Sequence, residues 1–223
     1  MKWELIEQLQ NSRIVSSSYK DKGSKVLTRD EHSCCFSKEF KQMYIFGGFI
    51  AGERTNQLIV YTFNGNKSGW ARIKTKGPSP SARNGHSACI YNNCMYVFGG
   101  RDGENRKLND LWRYDILAQT WSEISSENKD EDPTWCVPLE RSGHSCDVYG
   151  QYMVIFGGFY DLTKELNDLY LFDFVTERWI PIFLEENSPV VKNIIPYNDN
   201  QNITSTNIAS IQGSSSLAFN KPL

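Results

Sequence analysis

One hexapeptide is written three times along this chain. Met43-Tyr44-Ile45-Phe46-Gly47-Gly48, Met95-Tyr96-Val97-Phe98-Gly99-Gly100 and Met153-Val154-Ile155-Phe156-Gly157-Gly158 recur at spacings of 52 and 58 residues. A near-fixed period of this length constrains the fold more than any local propensity, because each copy must become the same supersecondary unit. Upstream of each copy stands an Arg-x-x-His-Ser segment, at Arg29–Ser33, Arg83–Ser87 and Arg141–Ser145, with its histidine 13 to 15 residues before the first glycine. Downstream, Trp70, Trp121 and Trp179 follow the second glycine by 22, 21 and 21 residues. Between glycines and tryptophan lie Asn109-Asp110-Leu111-Trp112-Arg113-Tyr114-Asp115 and Asn167-Asp168-Leu169-Tyr170-Leu171-Phe172-Asp173, with a weaker first copy at Asn56-Gln57-Leu58-Ile59-Val60-Tyr61.

Every unit therefore contains four apolar or aromatic runs of four to seven residues, broken by turn formers such as Asn92-Asn93 and Gly150-Gln151. Such runs predict four short antiparallel strands per unit and almost no helix. The inner runs are nearly continuously apolar, as strands covered on both faces require, whereas Trp121-Ser122-Glu123-Ile124 alternates like a half-exposed edge. A glycine pair at the tip of an inner strand allows close backbone approach and positive φ. One tryptophan per unit supplies a large buried area with which to wedge one sheet against the next.

These motifs resemble a kelch-repeat protein, whose repeats each form one blade of a β-propeller. The resemblance covers residues 29 to 182 and rests on the run ending in Gly-Gly, the N-D-L-Φ-x-Φ-D segment and the spaced tryptophan. It implies an all-β, partial kelch-type propeller of three complete four-stranded blades plus part-blades at both termini. The glycine pairs Gly47/Gly48, Gly99/Gly100 and Gly157/Gly158 should end the second strands, and Trp70, Trp121 and Trp179 should start the fourth.

The expected organisation is an outer strand of a part-blade and linker at 1–28, repeat 1 at 29–82, repeat 2 at 83–140 and repeat 3 at 141–183. A long low-complexity loop at 184–212 and the start of a further repeat at 213–223 complete it. Trp3-Glu4-Leu5-Ile6 aligns with the outermost strand, and Gly213–Leu223 aligns with Gly85–Met95, which suggests a truncated chain or two half-rings that associate.

Composition narrows the function. The 223 residues carry 24 Lys plus Arg against 26 Asp plus Glu, a formal charge of -2, which argues against the broad basic field of a nonspecific nucleic-acid binder. No apolar run approaches the roughly 20 residues of a membrane span, and the first residues carry no signal region, so the expected compartment is cytoplasmic and no membrane partner is expected. Six cysteines without a C-x-x-C read as reduced thiols.

No nucleophile elbow, phosphate loop, H-E-x-x-H or paired-carboxylate motif is present, so the sequence points to no enzyme, cofactor or metal. All three histidines, His32, His86 and His144, occupy one repeat position. A structural, hydrogen-bonded role is expected of them. The alternative is a kelch-type enzyme with a metal centre in the propeller channel.

The resemblance implies a protein-interaction scaffold or adaptor that presents inter-blade loops to a partner protein. In kelch substrate adaptors, arginines at loop positions contact acidic peptides, and a guanidinium fork suits carboxylates. Arg29, Arg83 and Arg141 share such a position and are expected to converge on one mouth of the channel; the competing reading pairs each with a nearby Asp or Glu. Arg101 and Arg106 lie in a loop expected on the same face. The basic loop of Arg72, Lys74, Lys76 and Arg83, set against the acidic loop of Glu127, Asp130, Glu131, Asp132 and Glu140, suggests a bipolar docking surface with Trp135 as anchor. Oligomeric state is open, and a ubiquitin-ligase role would need a further domain.

Overall fold

A computed structural model describes residues 28–65, 68–124 and 136–183. Among them are fourteen strands and no α-helix. The first blade comprises β1 (Ser33–Ser37), β2 (Gln42–Phe46), β5 (Leu58–Thr62) and β6 (Gly69–Ile73), hydrogen-bonded in that order. A small hairpin of β3 (Phe49–Ile50) and β4 (Glu53–Arg54) is inserted between its second and third strands. The second blade is β7 (Ser87–Tyr91), β8 (Cys94–Arg101), β9 (Lys107–Asp115) and β10 (Thr120–Ile124). The third is β11 (Ser145–Tyr149), β12 (Tyr152–Phe159), β13 (Glu165–Asp173) and β14 (Arg178–Phe183). All pairings within the blades are antiparallel. The chain thus forms a partial kelch-type propeller, as the repeat predicts.

Tight turns make the strands antiparallel. Asn92 and Asn93 take φ of 43° and 62° between β7 and β8, the left-handed region that asparagine tolerates. The tryptophans stand second in their outer strands, at Trp70, Trp121 and Trp179.

The glycine pairs differ slightly from expectation. Only in the first blade does the pair end the second strand; β8 and β12 run on past Gly100 and Gly158, with a register shift at Phe98/Gly100 and at Phe156/Gly158. Gly99 and Gly100 have φ of 65° and 97°. A Cβ on Gly99 would lie 2.9 Å from the Arg141 carbonyl, and one on Gly100 would lie 2.8 Å from His86 Cβ. Each glycine therefore permits both a left-handed bend and a contact that no side chain would survive. Gly99 touches the following blade and Gly100 touches the segment that enters the innermost strand of its own.

Two apolar cores fill the seams between blades. Tyr44, Phe46, Leu58 and Val60 of the first blade meet Met95, Val97, Trp112, Tyr114 and Trp121 of the second. Tyr96, Phe98 and Leu111 of the second meet Met153, Ile155, Tyr170, Phe172 and Trp179 of the third. Trp121 lies 5.2 Å from Phe46, and Trp179 lies 4.9 Å from Phe98, so each tryptophan reaches back to the preceding blade. Trp70 instead rests on Tyr61 of its own blade at 4.9 Å and is only half-buried. Phe156, the counterpart of Phe46 and Phe98, is 50% exposed because no following blade covers it among the described residues.

The part-blade read at 1–28, apart from its last residue, lies outside the described residues. So do Trp135 with the acids from Glu127 to Asp132, the loop at 184–212 and the further repeat at 213–223.

Candidate functional site

The repeated arginines are the structural keystones of the blades. Arg83 Nη1 and Nη2 donate to Asp110 Oδ1 and Oδ2, both at 2.7 Å, while Nη1 also reaches the Gly99 carbonyl at 3.1 Å. Arg141 repeats the pattern with Asp168 at 2.6 and 2.8 Å and the Gly157 carbonyl at 3.0 Å. Their Nε atoms donate to the Ser81 and Leu139 carbonyls. Both arginines are 0% exposed. Their main chains meanwhile accept the Gly48 and Gly100 amides of the preceding blade at 2.8 Å. Each arginine thus knots its own third strand to its own glycine turn and to its neighbour.

The expectation that Arg83 and Arg141 face a partner at the channel mouth is therefore corrected. A guanidinium whose donors are taken up by a buried bidentate carboxylate and by carbonyls has nothing left to offer a ligand. Arg29 occupies the same place in the first blade, where Gln57 stands instead of aspartate. It donates to the Gly47 carbonyl at 3.2 Å and to Gln57 Oε1 at 3.4 Å, and is half-buried. Lacking a carboxylate partner, it is held by weaker bonds. Burial, and then the charge of Arg72, lower its affinity for a proton.

Two of the three repeat histidines, His86 and His144, lock blade to blade. His86 Nε2 lies 2.9 Å from Ser33 Oγ of the first blade, and His144 Nε2 lies 2.7 Å from Ser87 Oγ of the second. Burial, reinforced by Arg83 and Arg141 respectively, pushes both imidazoles down to about 3. Among the described residues no group of three or more His, Cys, Asp or Glu could hold a metal ion.

This lock carries a pH signature. Above about pH 7 both imidazoles are neutral in the folded and unfolded chain alike. As pH falls through the unfolded value of about 6.5, the unfolded chain takes up protons that the folded blades refuse until about pH 3. Stability should therefore decline across that window, by up to about 1.4 kcal/mol per pH unit for each histidine. Urea midpoints between pH 7.5 and 5 measure it, and His86→Gln with His144→Gln should flatten the decline. An unchanged slope in the double variant would assign the acid sensitivity to carboxylates.

Open to a partner among the described residues is a cavity of about 510 Å3 where the segments entering the innermost strands converge. Its floor is a backbone relay: Gly85 N donates to the Glu31 carbonyl at 3.0 Å, and Gly143 N to the Gly85 carbonyl at 2.8 Å. Arg101 at the end of β8, Lys107 at the start of β9 and Asp161 in the β12–β13 loop line the cavity, and Phe159 and Leu162 add apolar surface that is 44% and 89% exposed. Glu31 pairs with Arg101 at 3.3 Å and also accepts from Asn84 Nδ2.

Of the arginines singled out in the sequence, Arg101 alone lines this cavity. Arg106 is exposed but turned onto its own loop, paired with Asp102 at 2.8 Å and Glu104 at 3.3 Å. Glu31, Phe159 and Leu162 were not singled out. The loop around Asp161 carried the one available signal, an apolar Leu162 among turn residues.

A family model described as the KLHDC2/KLHL20/DRC7 Kelch-repeats domain matches residues 8–190. The chain is 31% identical over 156 residues to a probable serine/threonine-protein kinase of Dictyostelium discoideum, covering 69% of this chain and 11% of that protein. It is 32% identical over 158 residues to Kelch domain-containing protein 3 of Bos taurus, covering 66% of this chain and 40% of that one. Over 181 residues it is 28% identical to the host cell factor homolog hcf-1 of Caenorhabditis elegans, covering 69% and 22%. The chain thus spans less than half the length of each of these relatives. With the repeat, the blades and the family match in agreement, the chain belongs to the kelch-repeat family.

Proposed function

We propose that this chain is a protein-interaction module, a cytoplasmic scaffold or adaptor whose propeller offers its loop-lined cavity to a segment of a partner protein. The observation that carries the reading is the contrast between two sets of polar side chains. The Arg83 and Arg141 side chains are consumed within their own blades and His86 and His144 bond across the seams, whereas Arg101, Lys107, Glu31 and Asp161 line a cavity that they share with the three repeat histidines and with exposed Phe159 and Leu162. Apolar surface ringed by charges that differ from loop to loop suits recognition of a peptide segment. An acidic segment in that partner would meet Arg101 and Lys107, rather than Arg83 and Arg141. Catalysis has no part in this reading.

Capture of partners by the full-length chain tests it. Arg101→Glu with Lys107→Glu should reduce recovery about 10-fold or more at unchanged melting temperature, since two charge-assisted contacts become repulsive. Lys38→Glu, on the exposed β1–β2 turn away from the cavity lining, is the control. Equal recovery by wild type and double variant would remove the cavity from recognition.

A further inference from the structure

Two thiols meet across the seam between the second and third blades. The entries to β7 and β11 are tied together by Gly143 N donating to the Gly85 carbonyl and by the contact between His144 Nε2 and Ser87 Oγ at 2.7 Å. Side chains alternate along a strand, so the next pair on the same faces lies two residues onward, at Cys89 and Cys146. Cys89 is buried and Cys146 half-buried, and both join the same apolar core. One step further, Tyr91 and Val148 join that core as well, so the two strands keep their relation. The neighbouring Cys146 side chain, and then burial, raise the Cys89 thiol well above the ordinary thiol range. Both cysteines are free.

The other seam provides a built-in comparison. The same two-residue step from His86 and Ser33 leads to Ala88 and Cys35, which also pack in one core. Only one thiol is present there.

We propose that Cys89 and Cys146 form a redox-switchable staple between the second and third blades, closed by hydrogen peroxide and opened by a dithiol. Cys146 reacts first, being the more accessible. Its thiolate sulfur attacks a peroxide oxygen, the O–O bond breaks, and the departing hydroxide is protonated to water. The sulfur of Cys89 then attacks the sulfenic sulfur: the S–S bond forms, the S–O bond breaks, and the leaving hydroxide takes the Cys89 proton as a second water. The two thiols lose two electrons and two protons, which the peroxide accepts. A dithiol reverses the step by exchange, ending as its own cyclic disulfide.

The test uses the full chain, treated with a small excess of hydrogen peroxide, alkylated and digested without reductant. A cross-linked peptide joining Cys89 to Cys146 is expected, lost on addition of dithiothreitol. Oxidation should raise the melting midpoint by about 5 to 10 °C through the long loop it closes. Cys89→Ala and Cys146→Ala should abolish both effects, and Ala88→Cys should add a second cross-link, to Cys35. The proposal fails if folded wild type yields Cys89 and Cys146 separately alkylated, Cys146 carried on to sulfinic acid, or either joined to another cysteine. A cross-link that leaves the midpoint unmoved overturns the staple as well.

Discussion

Asp168→Ala should cost about 3 to 5 kcal/mol of stability, the range for removing one member of a buried ion pair. Asp168 and Arg141 have side-chain exposures of 2% and 0%, so the orphaned guanidinium could neither reach water nor shed its proton. What is lost is more than one bond. Arg141 also holds the Gly157 carbonyl, while its main-chain carbonyl takes the Gly100 amide of the preceding blade. Asp110→Ala should cost less, because the Asp110 side chain is 23% exposed and water can enter beside Arg83. It would still leave Trp112 Nε1, which donates to Asp110 Oδ2 at 2.7 Å, without its acceptor. Urea unfolding of the two variants measures the difference. An Asp168→Ala loss below about 1 kcal/mol would mean that the pair is surface-like and that Arg141 can turn outward to a ligand. The same geometry predicts that Arg141→Glu unfolds the third blade, since two carboxylates would then share one dry site.

The architecture was legible because the repeat contains its own instructions. Gly-Gly, Arg-x-x-His-Ser and the spaced tryptophan each serve a seam between blades, and a seam made twice leaves its pattern twice in the sequence. The sequence leaves the role of the arginines open for a related reason. A repeated arginine at a loop position fits an outward-facing ring as well as an inward-facing knot, and the deciding partner stands 27 residues away. The clue was the co-occurrence of Arg83 with Asp110 and Arg141 with Asp168, against Arg29 with Gln57. Where the carboxylate is absent, the arginine is less buried. The cavity was harder to read, because Glu31 sits inside the repeated motif and Phe159 continues β12 beyond Gly158. Both look structural until the backbone places them at one mouth. The thiol pair needed the step between blades, since nothing in one repeat shows which residue of the next it faces.

Trp179→Ala should cost about 3 to 5 kcal/mol, as deletion of a large buried aromatic does. The indole is 7% exposed and lies within 5.1 Å of both Phe98 in the second blade and Phe172 in the third. Deleting it opens a cavity walled by two sheets that their own hydrogen bonds hold apart, so the site cannot collapse to fill it. Trp121→Ala should behave alike, because Phe46 and Tyr114 stand at 5.2 and 5.0 Å from its ring. Trp70→Ala is the informative contrast: half-buried and resting on Tyr61 alone among these contacts, it should cost about 1 to 2 kcal/mol in this chain. Urea denaturation of the three variants side by side gives the ranking. Equal losses at Trp70 and Trp179 would show that Trp70 is wedged against another blade-like surface in solution, and no loss at Trp179 would break the register by which each blade leans on the one before it.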